Sequence, residues 1–363
     1  MSVIQVFGLT PLKGEISIQG SKNAVLPMMA AALLHRGVTV LTNVPVIRDV
    51  ACMLDILESL GCRCCHKGDC LVMDARSVTG TSIPEEYVTA MRSSIVVLSA
   101  LLGRMGEGSS CYPGGCLIGA RPIDLHLMAL RALGADIRER DGTIEASCRK
   151  NGGLKGTEIH LSYPSVGATE NVILAAVLAE GVTVLSGAAR EPEISELCRF
   201  LRGKGARIEG DGTESIRIEG VSSLEDSEFI FSSDRIVAGT YLFGGVLTRG
   251  RVFLEGAETG TLTEVLKVIE KTGAVVHTSP RGIFLDAREA FLPAGRVETS
   301  PYPGFPTDLQ SALLSAMTVA RGKSEIEENI FEARFQTAAQ LRRMGADLEI
   351  KGNRALIRGV SSL

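Results

Sequence analysis

Residues 261–277, TLTEVLKVIEKTGAVVH, contain a helix pattern followed by a strand pattern, and the fold class follows from this pair. Their apolar side chains recur at the i, i+3, i+4 and i+7 spacing of a helix with one buried face, namely Leu262, Val265, Leu266 and Ile269. Gly273 stands where such a helix commonly ends, because glycine adopts the left-handed backbone conformation without a steric penalty. A short strand is predicted directly after it, at residues 274–277.

The same helix ending recurs along the whole chain. It appears in the strings SLGCR, ALGAD, GKGAR, KTGAV and RMGAD, whose glycines are Gly61, Gly134, Gly205, Gly273 and Gly345. Successive glycines are 73, 71, 68 and 72 residues apart, which indicates five repeated units. Each unit predicts a strand, a helix, a strand, a helix and a hairpin, so the fold class is α/β with helices covering sheets. Five such units exceed one hydrophobic core, and we therefore expect two lobes.

The composition limits the possible partners and the location. The chain has 363 residues, of which 45% are hydrophobic and 22% charged, as in ordinary globular proteins. A net charge of −4 argues against nucleic acid or an anionic membrane surface as the main partner. The longest apolar stretch, residues 95–102, is far shorter than a membrane helix, and the first residues do not resemble a secretion signal. We expect a cytoplasmic protein whose nine cysteines are reduced thiols.

Two helix starts are candidate anion sites. The string GSKNAVLP places Lys22 and Asn23 between a predicted strand and an apolar helix that starts at Ala24. Backbone N–H groups and the helix dipole favour an anion there, so Lys22 is a candidate ligand for phosphate or carboxylate. A solvated lysine at a helix start is the alternative. The string SVGATEN, residues 165–171, occupies the equivalent repeat position, where backbone amides could hold a diphosphate.

Two loops contain candidate reactive groups. In YPGGCLIGARPIDLH the adjacent glycines predict a surface loop that presents Cys116 near Arg121, and both a reactive and an incidental thiol stay open. In SPYPGFPTDLQ three prolines precede Asp308. The carboxylate of Asp308 either caps the helix that follows or acts as a general base toward a substrate hydroxyl.

One motif suggests a metal only superficially. In the string CRCCHKGDC, residues 62–70, the cysteine spacings do not supply two chelating pairs. The equivalent strings GADIRERDGTI and GARIEGDGTESI predict a strand, a turn and a strand. We therefore expect no metal. No Walker sequence, Rossmann glycine pattern or Ser/His/Asp order is present, and no cofactor is predicted.

Taken together, the strings resemble those of the UDP-N-acetylglucosamine 1-carboxyvinyltransferases, a family of enolpyruvyl transferases. The resemblance covers the whole chain through GSKNAVLP, PGGCLIGARPIDLH, SVGATEN, AAREPEI, SDRI-x-AGT, PYPGFPTD and IFEARF, in that order. It implies a two-lobed fold, an inside-out α/β barrel, with three βαβαββ units per lobe around a pseudo-threefold axis and substrates between the lobes. The implied lobes are 22–232, with three units, and 1–21 plus 233–363, with two. Five of the usual six units are therefore present.

The resemblance also implies the activity, which is transfer of the enolpyruvyl group from phosphoenolpyruvate to the 3-hydroxyl of UDP-N-acetylglucosamine with release of phosphate. This reaction is the first committed step of peptidoglycan synthesis. Asp308 matches the base for the sugar hydroxyl, and Cys116 matches the loop cysteine that adds to phosphoenolpyruvate, donates a proton and is alkylated by fosfomycin. Lys22 and Arg121 match phosphoenolpyruvate contacts, and Asn23 matches a residue close to the reacting centre. The positions that match the UDP-sugar site are Arg92, Arg121, Pro122, Ile123, Asp124, Leu125, Ser165, Val166, Gly167, Asp308 and Ile330.

The chain departs from the family pattern in three respects. Tyr163 stands where relatives often carry a lysine near the uridine, and Ala333 replaces the asparagine of the ENRF string. Both changes are expected to alter affinity rather than chemistry. The string GVSSL precedes a further unit at 220–224 and recurs at 359–363, where a sixth unit would begin. That unit supplies two further arginines for phosphoenolpyruvate in the family, and we expect its absence to expose part of the second lobe.

Three functional hypotheses follow. The first is the transferase itself, with phosphoenolpyruvate and UDP-N-acetylglucosamine as partners and neither nucleic acid nor a membrane. The second is a protein that binds the UDP-sugar without completing catalysis. The third is a shikimate-type enolpyruvyl transferase, which the PGGC loop and the SVGATEN string argue against, since the related 5-enolpyruvylshikimate-3-phosphate synthases lack both. The sequence does not fix the oligomeric state.

Overall fold

The predicted alternation of helices and strands is present in a computed structural model, which describes residues 5–6, 8, 10–114 and 118–363. The helices are α1 (Lys22–Ala32), α2 (Arg48–Ser59), α3 (Glu85–Ala90), α4 (Ile95–Met105), α5 (Asp124–Ala132), α6 (Val166–Ala176), α7 (Pro192–Gly203), α8 (Arg235–Thr248), α9 (Thr263–Lys271), α10 (Gln310–Met317) and α11 (Gln336–Arg343). The first ten strands are β1 (Lys13–Ser17), β2 (Val38–Thr42), β3 (Arg63–Lys67), β4 (Cys70–Asp74), β5 (Glu107–Cys111), β6 (Asp136–Arg140), β7 (Thr143–Ser147), β8 (Glu158–His160), β9 (Val182–Ser186) and β10 (Arg207–Glu209). The remaining strands are β11 (Ser215–Glu219), β12 (Ser227–Ile230), β13 (Arg251–Glu255), β14 (Val275–Ser279), β15 (Gly282–Asp286), β16 (Arg296–Glu298), β17 (Lys323–Glu327), β18 (Asp347–Lys351) and β19 (Arg354–Arg358).

The sheets repeat one pattern. Among the described residues four sheets have four strands, in the orders β12-β2-β4-β3, β10-β11-β9-β8, β1-β13-β15-β14 and β16-β17-β19-β18. In each of them one parallel pair is joined to an antiparallel hairpin. The fifth sheet, β5-β7-β6, has three strands, and a single parallel bridge between Ser82 and Ser109 stands where its fourth strand would pair. The repeated α/β fold class is thereby confirmed.

Two strands pair with sheets far away in the sequence. The first strand, β1, runs parallel to β13, with Lys13 opposite Arg251. The strand β12 runs parallel to β2, with Ser227 opposite Thr39. As a result, the sheet of the fourth repeat begins with the first strand of the chain, and the sheet of the first repeat is completed only after residue 226.

The chain forms two compact units. The N-terminal unit comprises the described residues of 20–114 together with 122–232. The C-terminal unit comprises the described residues up to 19, residues 118–121 and residues 233–363. Each unit has its own hydrophobic cluster, one drawn from residues 24–231 and the other from Ile18 and residues 238–357.

The helices differ in how they are buried, and this determines where they lie. Residues 24–32 of α1, 95–102 of α4 and 168–176 of α6 are all buried, so these apolar helices form the centre of the N-terminal unit. The amphipathic helices α2, α5 and α7 bury one face each. In the C-terminal unit α8 packs on α10. Helices at the centre with sheets outside are the arrangement expected of an inside-out α/β barrel.

The CRCCHKGDC segment is the predicted hairpin, formed by β3 and β4. Among the described residues no group of three or more His, Cys, Asp and Glu side chains is placed to hold a metal ion. In the same part of the chain, none of the helices combines the length and the apolar character needed to cross a bilayer.

Candidate active site

Lys22 lies at the first position of α1, where the sequence places a cation at a helix start. Its Nζ is 2.6 Å from Oδ2 of Asp49, in the first turn of α2, and the two side chains are 47% and 34% exposed. The neighbouring Asn23 is half-buried. The ammonium group is therefore held at the surface by a carboxylate with which an incoming anion would compete.

A second helix start brings α6 against α5. Ser165 precedes α6, and its hydroxyl accepts from the N–H of Ala168 (3.3 Å). Val166 and Gly167 form the first turn, and a Cβ built on Gly167 would lie 2.8 Å from Cε1 of His126. The His126 ring is buried, and its Nδ1 accepts from the Asn171 amide (2.7 Å). Only glycine fits at position 167 without displacing this ring.

The segment before α5 is hydrogen-bonded to Arg92, and both contain predicted site residues. Arg92, in a short 3-10 turn of residues 92–94, donates to the carbonyl oxygen of Pro122 (3.3 Å). Ile123 is buried and anchors the segment, whereas Asp124 at the start of α5 is exposed and Leu125 is half-buried. The guanidinium of Arg92 and the start of α5 thus lie side by side in the N-terminal unit.

A buried carboxyl group lies one turn beyond Gly167. Glu170, in α6, is only 7% exposed. Burial, with smaller contributions from the nearby carboxylates of Glu193 and Glu191, raises the pKa of Glu170 to about 8. Near neutral pH this side chain is therefore largely protonated and can donate as well as accept a hydrogen bond.

In the C-terminal unit Asp308 forms an ion pair. It lies in a 3-10 turn, Thr307–Leu309, and its Oδ1 accepts from Nη2 of Arg334 (2.8 Å). Asp308 is 41% exposed and Arg334 14% exposed, so the cation is sheltered and the carboxylate is accessible. Among the described contacts Asp308 accepts no helix-capping hydrogen bond, since neither this turn nor α10 has a side-chain cap. The arrangement orients a carboxylate that can accept a proton from a hydroxyl group.

Phe331 links this pair to the segment that contains Arg121. The guanidinium carbon of Arg121 lies 5.3 Å from the Phe331 ring centroid, and that of Arg334 lies 5.7 Å from it. The N–H of Ala333 donates to the carbonyl oxygen of Ile118 (3.0 Å). Residues 118–121 are therefore aligned along 331–334, and Arg121 is placed by a cation–π contact. Ile330 precedes this aromatic ring, and its N–H donates to the Glu328 carboxylate (2.9 Å).

A small cavity of about 150 Å³ lies beside the loop that precedes Asp308. Its wall includes Arg235, Thr261, Tyr302 and Pro306. The Arg235 guanidinium carbon lies 5.6 Å from the Tyr302 ring centroid. The cavity is lined by polar as well as apolar groups, all within the C-terminal unit.

The structure thus groups most of the predicted site residues into a few clusters. The N-terminal unit contains Lys22, Asn23, Arg92, Pro122, Ile123, Asp124, Leu125, Ser165, Val166 and Gly167, and the C-terminal unit contains Arg121, Asp308 and Ile330. Cys116 lies outside the described residues.

Three charged residues at these clusters were missed by the sequence reasoning, namely Asp49, Glu328 and Arg334. Arg334 is the arginine of the IFEARF string, and the string itself is the signal that could have identified it. Nothing in the local sequence distinguishes Asp49 or Glu328, because Asp49 pairs with a residue of another helix and Glu328 joins its own turn to Thr307 in a distant loop.

A model of the family EPSP synthase (3-phosphoshikimate 1-carboxyvinyltransferase) matches residues 6–363. UDP-N-acetylglucosamine 1-carboxyvinyltransferase 2 of Caldanaerobacter subterraneus subsp. tengcongensis is 44% identical over 100% of the chain and 86% of that relative. UDP-N-acetylglucosamine 1-carboxyvinyltransferase 1 of Symbiobacterium thermophilum is 46% identical over 99% of the chain and 82% of that relative.

Solved structures share the fold at low identity. The enolpyruvyl transferase NikO from Streptomyces tendae superposes with a TM-score of 0.84 at 21% identity, covering 96% of the chain and 82% of that structure. EPSP synthase from Acinetobacter baumannii superposes with a TM-score of 0.70 at 20% identity and the same coverage. These likenesses establish the enolpyruvyl transferase fold.

Proposed function

The chain belongs to the UDP-N-acetylglucosamine 1-carboxyvinyltransferase family, and from that premise we propose that it transfers the enolpyruvyl group of phosphoenolpyruvate to the 3-hydroxyl of UDP-N-acetylglucosamine with release of phosphate. The main support is identity of 44% and 46% to enzymes of that name over essentially the whole chain. The shikimate-type and binding-only alternatives have no such support.

Asp308 is the proposed general base for the sugar hydroxyl. The Asp308–Arg334 pair leaves the carboxylate accessible while fixing its orientation, which a proton acceptor requires. As the sugar oxygen bonds to C2 of phosphoenolpyruvate, Asp308 takes the hydroxyl proton, and Cys116 gives a proton to C3. A proton of the C3 methyl group then returns to the Cys116 thiolate, and cleavage of the bond from C2 to the phosphate oxygen restores the double bond and releases phosphate.

Lys22 and Arg121 are the proposed cations for phosphoenolpyruvate. This substrate has several negative charges, and fixed cations stabilise the charge that moves onto the leaving phosphate. The Lys22–Asp49 pair supports the assignment, because a bound phosphate can replace Asp49 as the partner of the ammonium group. The contact between Arg121 and Phe331 holds the second cation at its place without neutralising it.

The UDP-sugar is assigned to the helix starts and the segment before α5. We propose that Arg92, Ser165, Ile330 and the other positions that match the UDP-sugar site contact the UDP-sugar. Asn23 is proposed to lie close to the reacting centre. The start of α6 supports this, because the N–H groups of a first helical turn attract diphosphate oxygens.

We also propose that the chain has two functional lobes, 22–232 and 1–21 plus 233–363, and that it acts in the cytoplasm. The eight cysteines among the described residues are all free thiols, as a reducing compartment favours.

Phosphate release by the full chain with phosphoenolpyruvate and UDP-N-acetylglucosamine tests the function. We expect turnover by the parent chain, and a loss of about 100-fold or more for Cys116→Ala and for Asp308→Asn, because each removes a proton-transfer group. Cys65→Ala is the matched control, since Cys65 is an exposed thiol on β3. Fosfomycin should add its mass to the parent and to Cys65→Ala but not to Cys116→Ala.

Two outcomes would contradict the proposal. Binding of UDP-N-acetylglucosamine without phosphate release by any variant would support the binding-only hypothesis. Turnover with shikimate 3-phosphate but not with the UDP-sugar would support the shikimate-type enzyme.

A further inference from the structure

We propose that Glu328 is a positioning residue that sets the orientation of Asp308 and of the Ile330 turn, an assignment that rests on the proposed transferase function. Glu328 directly follows β17 and is only 3% exposed. Within the described part of the chain no lysine or arginine forms an ion pair with it. A buried carboxylate without a cation must be stabilised by hydrogen bonds, and those bonds indicate what it does.

The carboxylate receives hydrogen bonds from two separate segments. Oε1 accepts from the N–H of Ile330 (2.9 Å) and the N–H of Phe331 (3.1 Å), which fixes the turn that follows β17. The hydroxyl of Thr307 lies 3.0 Å from Oε1 and 2.9 Å from Oε2. One side chain therefore ties the loop before α10 to the turn after β17.

Both segments lead directly to the proposed base. Thr307 is the residue before Asp308 in a short 3-10 turn, whose Leu309 is fully buried and donates its N–H to the carbonyl oxygen of Pro306 (3.0 Å). On the other side, Phe331 begins the run that ends at Arg334, which holds Asp308. Glu328 is thus connected to the Asp308–Arg334 pair from both sides. One side is the Thr307 hydroxyl next to Asp308, and the other is the N–H of Phe331 in the run that ends at Arg334.

The backbone of Glu328 is itself fixed by the sheet. Its N–H donates to the carbonyl oxygen of Asn353 (2.8 Å), in the turn between β18 and β19. The next residue, Asn329, donates its N–H to the hydroxyl of Thr299 (2.9 Å). Glu328 therefore transmits the rigid position of the β16-β17-β19-β18 sheet to the two loops.

The chemistry of the contact allows it to be removed selectively. In Glu328→Gln the carbonyl oxygen can still accept from the two backbone N–H groups, but the Thr307 hydroxyl loses its anionic acceptor, because the amide nitrogen only donates and the carbonyl oxygen is neutral. Thr307→Val removes the hydroxyl of this contact with little change of shape, and Thr307→Ser keeps the hydroxyl. Thr307→Val and Glu328→Gln both abolish the charge-assisted hydrogen bond between these two side chains, so their effects should not add.

The experiment compares the full-length parent with Thr307→Val, Thr307→Ser, Glu328→Gln and the Thr307→Val/Glu328→Gln double variant. The control is Glu349→Gln, an exposed glutamate on β18 of the same sheet. Measurements are kcat and KM for phosphate release, Kd for UDP-N-acetylglucosamine by calorimetry, and Tm. We expect kcat to fall about tenfold or more in Thr307→Val and Glu328→Gln, because a misplaced catalytic group loses rate steeply. The double variant should match the lower single variant, and Thr307→Ser and Glu349→Gln should match the parent.

Each other outcome overturns the assignment. A parent-like kcat in Thr307→Val, additive losses in the double variant, or a kcat loss explained by a lower Tm would show that Glu328 is only a structural residue. A parent chain that releases no phosphate would overturn the transferase function and with it this assignment. That failure differs from the others, in which the parent is active.

Discussion

Glu170 is a buried acid whose protonation should make the stability of the N-terminal unit depend on pH. Burial raises its pKa to about 8, with smaller contributions from Glu193 and Glu191, above the ordinary value of 4.5. Between these values the folded chain holds a proton that the unfolded chain has released, so the free energy of unfolding falls as the pH rises. The contribution of this bound proton to the free energy of unfolding is fully present below pH 4.5, and it is lost as the pH rises through about 8.

Glu170→Gln should remove this pH dependence. We compare the Tm of the variant minus the Tm of the parent at each pH. This difference should rise by about 3 °C or more between pH 5 and pH 9, since 1 kcal/mol corresponds to about 2–4 °C in a unit of this size. Glu180→Gln is the control, because Glu180 is exposed. Parallel Tm curves for Glu170→Gln and the parent would contradict the prediction.

At the scale of the element, the contact between α5 and α6 depends on Gly167. Alanine usually stabilises a helix by about 0.5–1 kcal/mol relative to glycine. Here the added Cβ would lie 2.8 Å from the His126 ring, which Asn171 holds in place. Overpacking of this kind costs about 1–3 kcal/mol.

We therefore expect Gly167→Ala to lower the Tm and to raise the KM for UDP-N-acetylglucosamine, because the start of α6 must move away from α5. Gly203→Ala, at the end of α7, is the matched control, since a Cβ there meets no atom within 4 Å. Its Tm should stay level or rise. Equal Tm changes in the two variants would show that the His126 contact is not tight.

The sequence predicts the elements well because their signals are local. Residues 261–277 predicted a helix and a strand, and α9 and β14 are found there with Val265, Leu266 and Ile269 buried. Pro192 begins α7, where the missing N–H of proline leaves no helical hydrogen bond unmade. The first helix starts at Lys22 rather than Ala24, because the chain turns helical directly after the extended Ser21.

The candidate site is less predictable because its contacts join distant residues. The resemblance supplied Lys22, Asp308 and Arg121, whereas their partners Asp49, Arg334 and Phe331 appear only once the chain is folded. No periodicity in a sequence states which charge on another element lies opposite a given residue. The same holds for β1, whose pattern predicts a strand and not its partner β13.

For the whole molecule, the pairing of β1 with β13 predicts that the two units differ in how they fold alone. The core of the N-terminal unit uses only residues 24–231, so residues 20–232 contain all of its strands and central helices. The core of the C-terminal unit includes Ile18, and without β1 the strand β13 becomes an unpaired edge.

We therefore expect the fragment 20–232 to melt in one cooperative transition. The fragment 233–363 should lack one until residues 5–19 are joined to it by a flexible linker. Circular dichroism melts of the three fragments provide the measurement, and the same linker with Ile16→Asp and Ile18→Asp is the control. A cooperative melt of 233–363 alone, or none for 20–232, would show that pairing with β1 does not decide the stability of the units.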